Sequence, residues 1–107
     1  MTESRLEALK QLLEKDPSDS FTRYAIALEY NSIGNHESAI TYLKEVIERD
    51  QNYLPAYHQL AQIYARLNRT SEAKTTYRKG IEIAEMIGDS HAKKEMTEEL
   101  EEIEDEW

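Results

Sequence analysis

SFTRYAIALEYNSIGNHESAITYLKEVIERDQNY (residues 20–53) and LPAYHQLAQIYARLNRTSEAKTTYRKGIEIAEMI (residues 54–87) read as one 34-residue unit written twice. A shift of 34 lays Ala27 on Ala61, Tyr30 on Tyr64, Ala39 on Ala73, Thr41 on Thr75, Ile47 on Ile81 and Glu48 on Glu82. Around these identities stand the conservative pairs Ile26/Leu60, Ile33/Leu67, Leu43/Tyr77 and Lys44/Arg78. A unit this short cannot bury its own apolar face and must stack on a neighbour. Each copy has the content of two helices, with a turn between them at Gly34-Asn35 or Asn68-Arg69.

The flanks fit that frame. Leu6, Leu9, Leu12 and Leu13 form a helical stripe over residues 3–15. Asp16-Pro17 ends it, because the residue before proline is pushed out of the helical region. Under the same shift Leu9 falls on Leu43, Leu13 on Ile47 and Asp16 on Asp50, so this segment reads as the second half of an earlier unit. Ser18, Asp19 or Ser20 can cap the next helix, which runs to about Ile33. A helix from His36 to Arg49 follows, with Ala39, Leu43, Val46 and Ile47 on one face. In the second copy Pro55 suits a first helical turn. Its partner helix, from Thr70 or Ser71, continues to about Ile87 and stops at Gly88. Residues 90–107 carry the stripe Ala92, Met96, Leu100, Ile103 and Trp107. The repeat register fails there, because Glu98 and Glu95 fill slots that need tyrosine and small residues; this is a cap.

Composition narrows the function. The chain has 107 residues, no cysteine, and few glycines and prolines, which favours one small all-α domain without thiolate chemistry. No apolar run is long enough to span a bilayer and no signal segment opens the chain, so a cytoplasmic protein without a membrane partner is the expectation. The net charge is −9, and residues 95–107 hold eight acids and no base. The remaining body is close to neutral, which argues against nucleic-acid binding. His36, His58 and His91 share no ligand spacing, so no metal or cofactor is expected. No nucleophile–base pair or phosphate loop stands out, so no catalytic residue and no enzyme is expected.

The period and the small–large alternation resemble the tetratricopeptide repeat (TPR) family. In that family the motif residues are packing residues: Ala27, Ala61, Ala39 and Ala73 where helices approach closely, with Tyr30, Tyr64, Leu43 and Tyr77 as their large counterparts. The seven tyrosines are accordingly read as core. Arg23, where an aromatic is common, Gly80, opposite Val46, and Gln51 and Glu85, where proline is usual, are departures. The resemblance implies a right-handed α-solenoid of about six antiparallel helices. Its parts would be a half-repeat (3–15), two repeats (20–53 and 54–87) and a capping helix (90–107).

The resemblance further implies binding of a protein or peptide on the concave face lined by the first helix of each repeat. Here that face would show Phe21, Tyr24, Leu28, Asn31 and Ser32, then Pro55, His58, Gln62, Ala65 and Arg66. The first set is apolar and the second polar. His58, Gln62 and Arg66 suit an acidic or phosphorylated group, or simply a polar exposed face. The Lys/Asn/Arg clamp by which some family members hold a chaperone tail is absent, since its slots hold Tyr24, Leu28, His58 and Gln62. The acidic tail is either a solvated face or a docking surface for a basic partner. The expected function is a non-catalytic interaction module. The alternative is a self-associating unit, so the chain is a monomer or a homodimer.

Overall fold

The computed structural model describes residues 2–104, with side chains from Arg5 onward. It is all-α, with six helices: α1 (Thr2–Lys15), α2 (Ser20–Ser32), α3 (His36–Arg49), α4 (Leu54–Arg66), α5 (Thr70–Ile87) and α6 (Ser90–Glu104). They fall into two compact units, residues 1–51 and 52–107, each a run of three helices in sequential antiparallel packing.

In the first unit α2 packs on both α1 and α3. Leu6 is buried and Leu9 and Leu13 are half-buried, but Leu12 is 51% exposed. Leu12 therefore leaves the expected stripe. At about 100° per residue it sits a further 60° around the helix from Leu9. Asp19, rather than Ser18 or Ser20, caps α2, accepting from the Phe21 and Thr22 amides at 3.1 and 3.4 Å and from the Thr22 hydroxyl at 2.7 Å. These bonds hold the Asp19 carboxyl below the ordinary range, the Thr22 hydroxyl contributing most. Arg23, in the slot where an aromatic was the common choice, is 5% exposed. Its Nη1 donates to the Pro17 carbonyl at 2.8 Å and its Nε lies 3.5 Å from Glu45, so it ties the α1–α2 turn to α3. Gly34 closes α2 at φ 84°, and Asn35 caps α3 through the Ser38 amide.

The second unit is built on α4 and α5, with α6 packed along α5 and also touching α4. Pro55 lies in the first turn of α4. Asn68 takes the left-handed position that Gly34 fills in the first copy, at φ 61°. The α5 helix runs on to Ile87 and ends at Gly88, φ 79°. Asp89 then accepts the Ala92 amide at 3.0 Å and opens α6. The small size of Gly80 has a local cause. A Cβ built there would stand 2.7 Å from the Met96 sulfur and 3.0 Å from the Tyr57 Cβ. The missing side chain makes the notch into which α6 inserts the fully buried Met96.

The four repeat alanines, Ala27, Ala39, Ala61 and Ala73, are fully buried. The tyrosines divide: Tyr57, Tyr64 and Tyr77 are buried, whereas Tyr24, Tyr30, Tyr42 and Tyr53 are half-buried. The all-core reading of the seven is therefore too strong. Tyr30 and Tyr42 stack at 5.5 Å between centroids, with the Lys10 ammonium 5.1 Å above Tyr30. A phenol at the rim can stack and keep its hydroxyl wet. In α6, Met96 and Leu100 are buried and Ala92 and Ile103 half-buried; Trp107, the last member of the expected stripe, lies outside the described residues.

Candidate functional site

On α2, Phe21 is 68% exposed, the most exposed large apolar residue of the first unit among the described residues. Tyr24 and Leu28, three and seven residues on, are half-buried on the same side of the helix. Ser32 turns its hydroxyl back to the Glu29 carbonyl at 2.9 Å. Asn31 has its Oδ1 2.9 Å from His36 Nδ1 at the start of α3. Phe21 and Ser32 are thus the exposed members of this face, and Tyr24, Leu28 and Asn31 are half-buried.

The corresponding side chains of α4 meet a different fate. His58 Nε2 lies 2.8 Å from Glu99 Oε2, and Gln62 Nε2 donates to Glu99 Oε1 at 3.1 Å. The Tyr77 hydroxyl of α5 donates to the same Oε1 at 2.7 Å. An ionised carboxylate has only acceptors, so all three partners donate and a single carboxylate of α6 takes three hydrogen bonds. Burial alone would raise the Glu99 pKa. The hydrogen bonds from His58, Tyr77 and Gln62 outweigh it and hold the carboxyl below the ordinary glutamate value. Burial, then the bond to Glu99, pushes the Tyr77 phenol well above its usual range, so it stays a donor. Pro55 and Arg66 remain exposed at the two ends of α4. Beside Arg66 is a shallow depression of about 280 Å³, walled also by Gln62, Tyr77, Glu99, Glu102 and Ile103.

The acidic group that His58 and Gln62 suit is therefore supplied by the chain itself. The expectation for residues 95–107 is a solvated face or a docking surface for a basic partner, and Glu99 is neither. Glu99 faces inward, and Glu104 pairs with Arg78 at 2.7 Å. Glu95, Glu98, Glu101 and Glu102 are exposed, while Asp105 and Glu106 lie outside the described residues. Sequence reasoning missed Glu99 and Tyr77. The signal was present for Glu99. On a helical wheel it falls about 60° from Met96, at the edge of the apolar stripe, whereas Glu95, Glu98, Glu101 and Glu102 lie about 100° or more away.

A His–Glu–Tyr cluster raises the question of catalysis. Here the three donors converge on a carboxylate of the same chain. Among those residues, too, no set of three His, Asp or Glu side chains could hold a metal ion, and no helix is long and apolar enough to cross a membrane.

Comparison with known proteins agrees with this architecture. A family model described as tetratricopeptide repeat matches residues 1–92, which include His58, Gln62 and Tyr77. A TPR repeat-containing protein of Pseudomonas aeruginosa is 26% identical over 92 residues, 86% of this chain and 88% of that protein. The solution structure of a tetratricopeptide repeat domain protein from Salinibacter ruber is 36% identical, with TM-score 0.81 over 86% of this chain and 93% of its own. The TPR2B domain of yeast Sti1, solved as a complex with pHsp70, shares the fold at 15% identity, with TM-score 0.89 over 99% of this chain and 85% of its own.

Proposed function

The chain belongs to the tetratricopeptide repeat family, and on that premise we propose that it is a non-catalytic protein-interaction module. It takes a peptide or protein segment on the face of the first helix of each repeat, with repeats at 20–53 and 54–87. The observation that carries the reading is Phe21, a large aromatic held out to solvent by a rigid, capped helix, with Tyr24 and Leu28 on the same side. A preorganised aromatic loses little side-chain entropy on binding, and such anchors dominate interface energetics. TPR domains as a class bind proteins and peptides, and the yeast Sti1 domain of the same fold was solved with its pHsp70 partner. On α2 the proposed face also takes in Asn31; on α4 it is Pro55, His58, Gln62 and Arg66, where a partner reaching His58 and Gln62 must first replace Glu99.

The test is capture of a partner from the native lysate by the full chain, followed by titration of that partner. Phe21→Ala/Leu28→Ala should lose at least tenfold in affinity while circular dichroism stays unchanged. Undiminished binding by the folded double variant would remove this face. A second reading, self-association, draws on Leu12, Met86 and Ile87, which are 51%, 70% and 47% exposed. Light scattering over a concentration series separates the two, since a strict monomer eliminates self-association.

A further inference from the structure

The three donors around Glu99 belong to α4 and α5, whereas the carboxylate belongs to α6. The notch that receives Met96 is likewise made by Gly80 of α5 and Tyr57 of α4. The α4–α5 pair thus presents a surface with two shape- and charge-specific features three residues apart on an incoming helix, a hole for a long thioether and a cradle for a carboxylate. Leu100 adds an apolar contact one residue further on. We infer that this surface is a receptor for an amphipathic helix with one glutamate on its inward face, and that α6 is its resident occupant. A partner helix bearing methionine or leucine, then glutamate three residues later, then leucine, takes the site by displacing α6.

Displacement is physically reasonable because the resident is a poor helix held at a good site. Its outward face sets Glu98 against Glu102 at i,i+4, and its acids crowd the helix end where the macrodipole disfavours them. Two residues, Gly88 and Asp89, join it to α5, and Gly88 already occupies the left-handed region that hinges use freely. The ion pairs that pin its rim, Lys93–Glu85 and Arg78–Glu104, are solvent-exposed and contribute little. A partner helix with the same inward residues and fewer outward acids binds better residue for residue. It must still overcome the effective concentration of a tethered competitor, so its apparent affinity is its intrinsic affinity multiplied by the small fraction of chains with α6 undocked.

The inference rests on the groove-face reading for α4 alone. Phe21 on α2 plays no part in it, and Phe21→Ala should leave the following titration unchanged whether or not α2 binds a partner. The probe is a fluorescein-labelled synthetic peptide of residues 89–107 of this chain, added to the full chain. The Glu99→Gln chain, whose resident is weakened, should bind the peptide about tenfold more tightly than wild type. His58→Ala weakens the receptor toward resident and peptide alike and should show no such gain. A peptide with glutamine at its own position 99 should lose the advantage on the Glu99→Gln chain. Equal affinities of wild type and Glu99→Gln, or of the two peptides, would overturn the inference. If Glu99→Gln does not fold, the wild-type chain decides. With the chain ¹⁵N-labelled and the peptide unlabelled, excess peptide should speed amide exchange in residues 90–104 at least tenfold while α4 and α5 stay protected. Exchange of α6 only with global unfolding, peptide or not, means the resident never leaves and sinks the proposal. A chain that dimerises alone by trading α6 assigns the site to a second copy and overturns the partner reading.

Discussion

Tyr24 and His58 occupy the same slot of the 34-residue register, as do Leu28 and Gln62. In the first unit this face of α2 ends in Phe21, an aromatic left in solvent. In the second, the face of α4 points three-quarters-buried His58 at a carboxylate brought by α6. Underneath, the units are alike: Ala27 and Ala61, Ala39 and Ala73, and Leu43 and Tyr77 are all buried. The repeat specifies close helix approach and leaves the exposed face of each first helix free to diverge. One copy keeps an apolar face open, whereas the other uses a polar face to hold its own capping helix.

The largest blow to this contrast falls on the second unit. Met96→Ala empties the notch at Gly80 and should destabilise the chain by about 2–5 kcal/mol in urea unfolding. It should do so by undocking α6, so the early loss of helical signal should match residues 90–104. Gly80→Val attacks the same contact from the other side and should cost about 1–3 kcal/mol, partly offset by better helix propensity. A Gly80→Val chain as stable as wild type would mean that Met96 can leave its notch without cost.

Glu99→Gln keeps the shape and removes the charge, and should cost about 1–2 kcal/mol, since hydrogen bonds to an ionised group are worth more than neutral ones. The same carboxylate gives a pH dependence whose sign is fixed. Its folded-state pKa lies below the unfolded value of about 4.3, so its contribution is fully present above that pH. That contribution is lost as pH falls through the folded value. Wild-type stability should therefore drop on acidification below about pH 4, and Glu99→Gln should flatten that part of the curve. The smallest stability effect belongs to the first unit. Phe21→Ala should change stability by less than about 0.5 kcal/mol, although it removes the residue on which partner binding is proposed to depend. A large destabilisation would show that Phe21 is a packing residue after all.

Most of the fold was legible in the sequence because packing residues recur. The doubled register of alanines and aromatics located the helices, and Gly34, Asn68 and Gly88 marked their ends through a backbone conformation few other residues adopt. Arg23 and Gly80 stood out as departures from the pattern, but their causes were not legible. The first depends on the Pro17 carbonyl and the second on Met96, contacts that lie outside the 34-residue period. The candidate site was half legible. His58 and Gln62 announced an acceptor-seeking surface, but the acceptor is 41 residues from His58 and hidden in a run of eight acids. Charge counting treats those acids alike, and only the helical phase relative to Met96 singles out Glu99. Leu12 failed in the opposite sense, since apolar character alone placed it in a stripe that its phase excludes.

The contrast between an open first face and a self-occupied second face stands or falls on the contact between His58 and Glu99. Side-chain ¹³C NMR of Glu99 across pH, in wild type and His58→Ala, measures it directly. The account predicts a wild-type Glu99 that titrates below the ordinary value of about 4.3 and moves upward in His58→Ala. An ordinary value unchanged by the substitution would show that α6 does not hold its carboxylate in the α4 face, and the two faces would then be equally open.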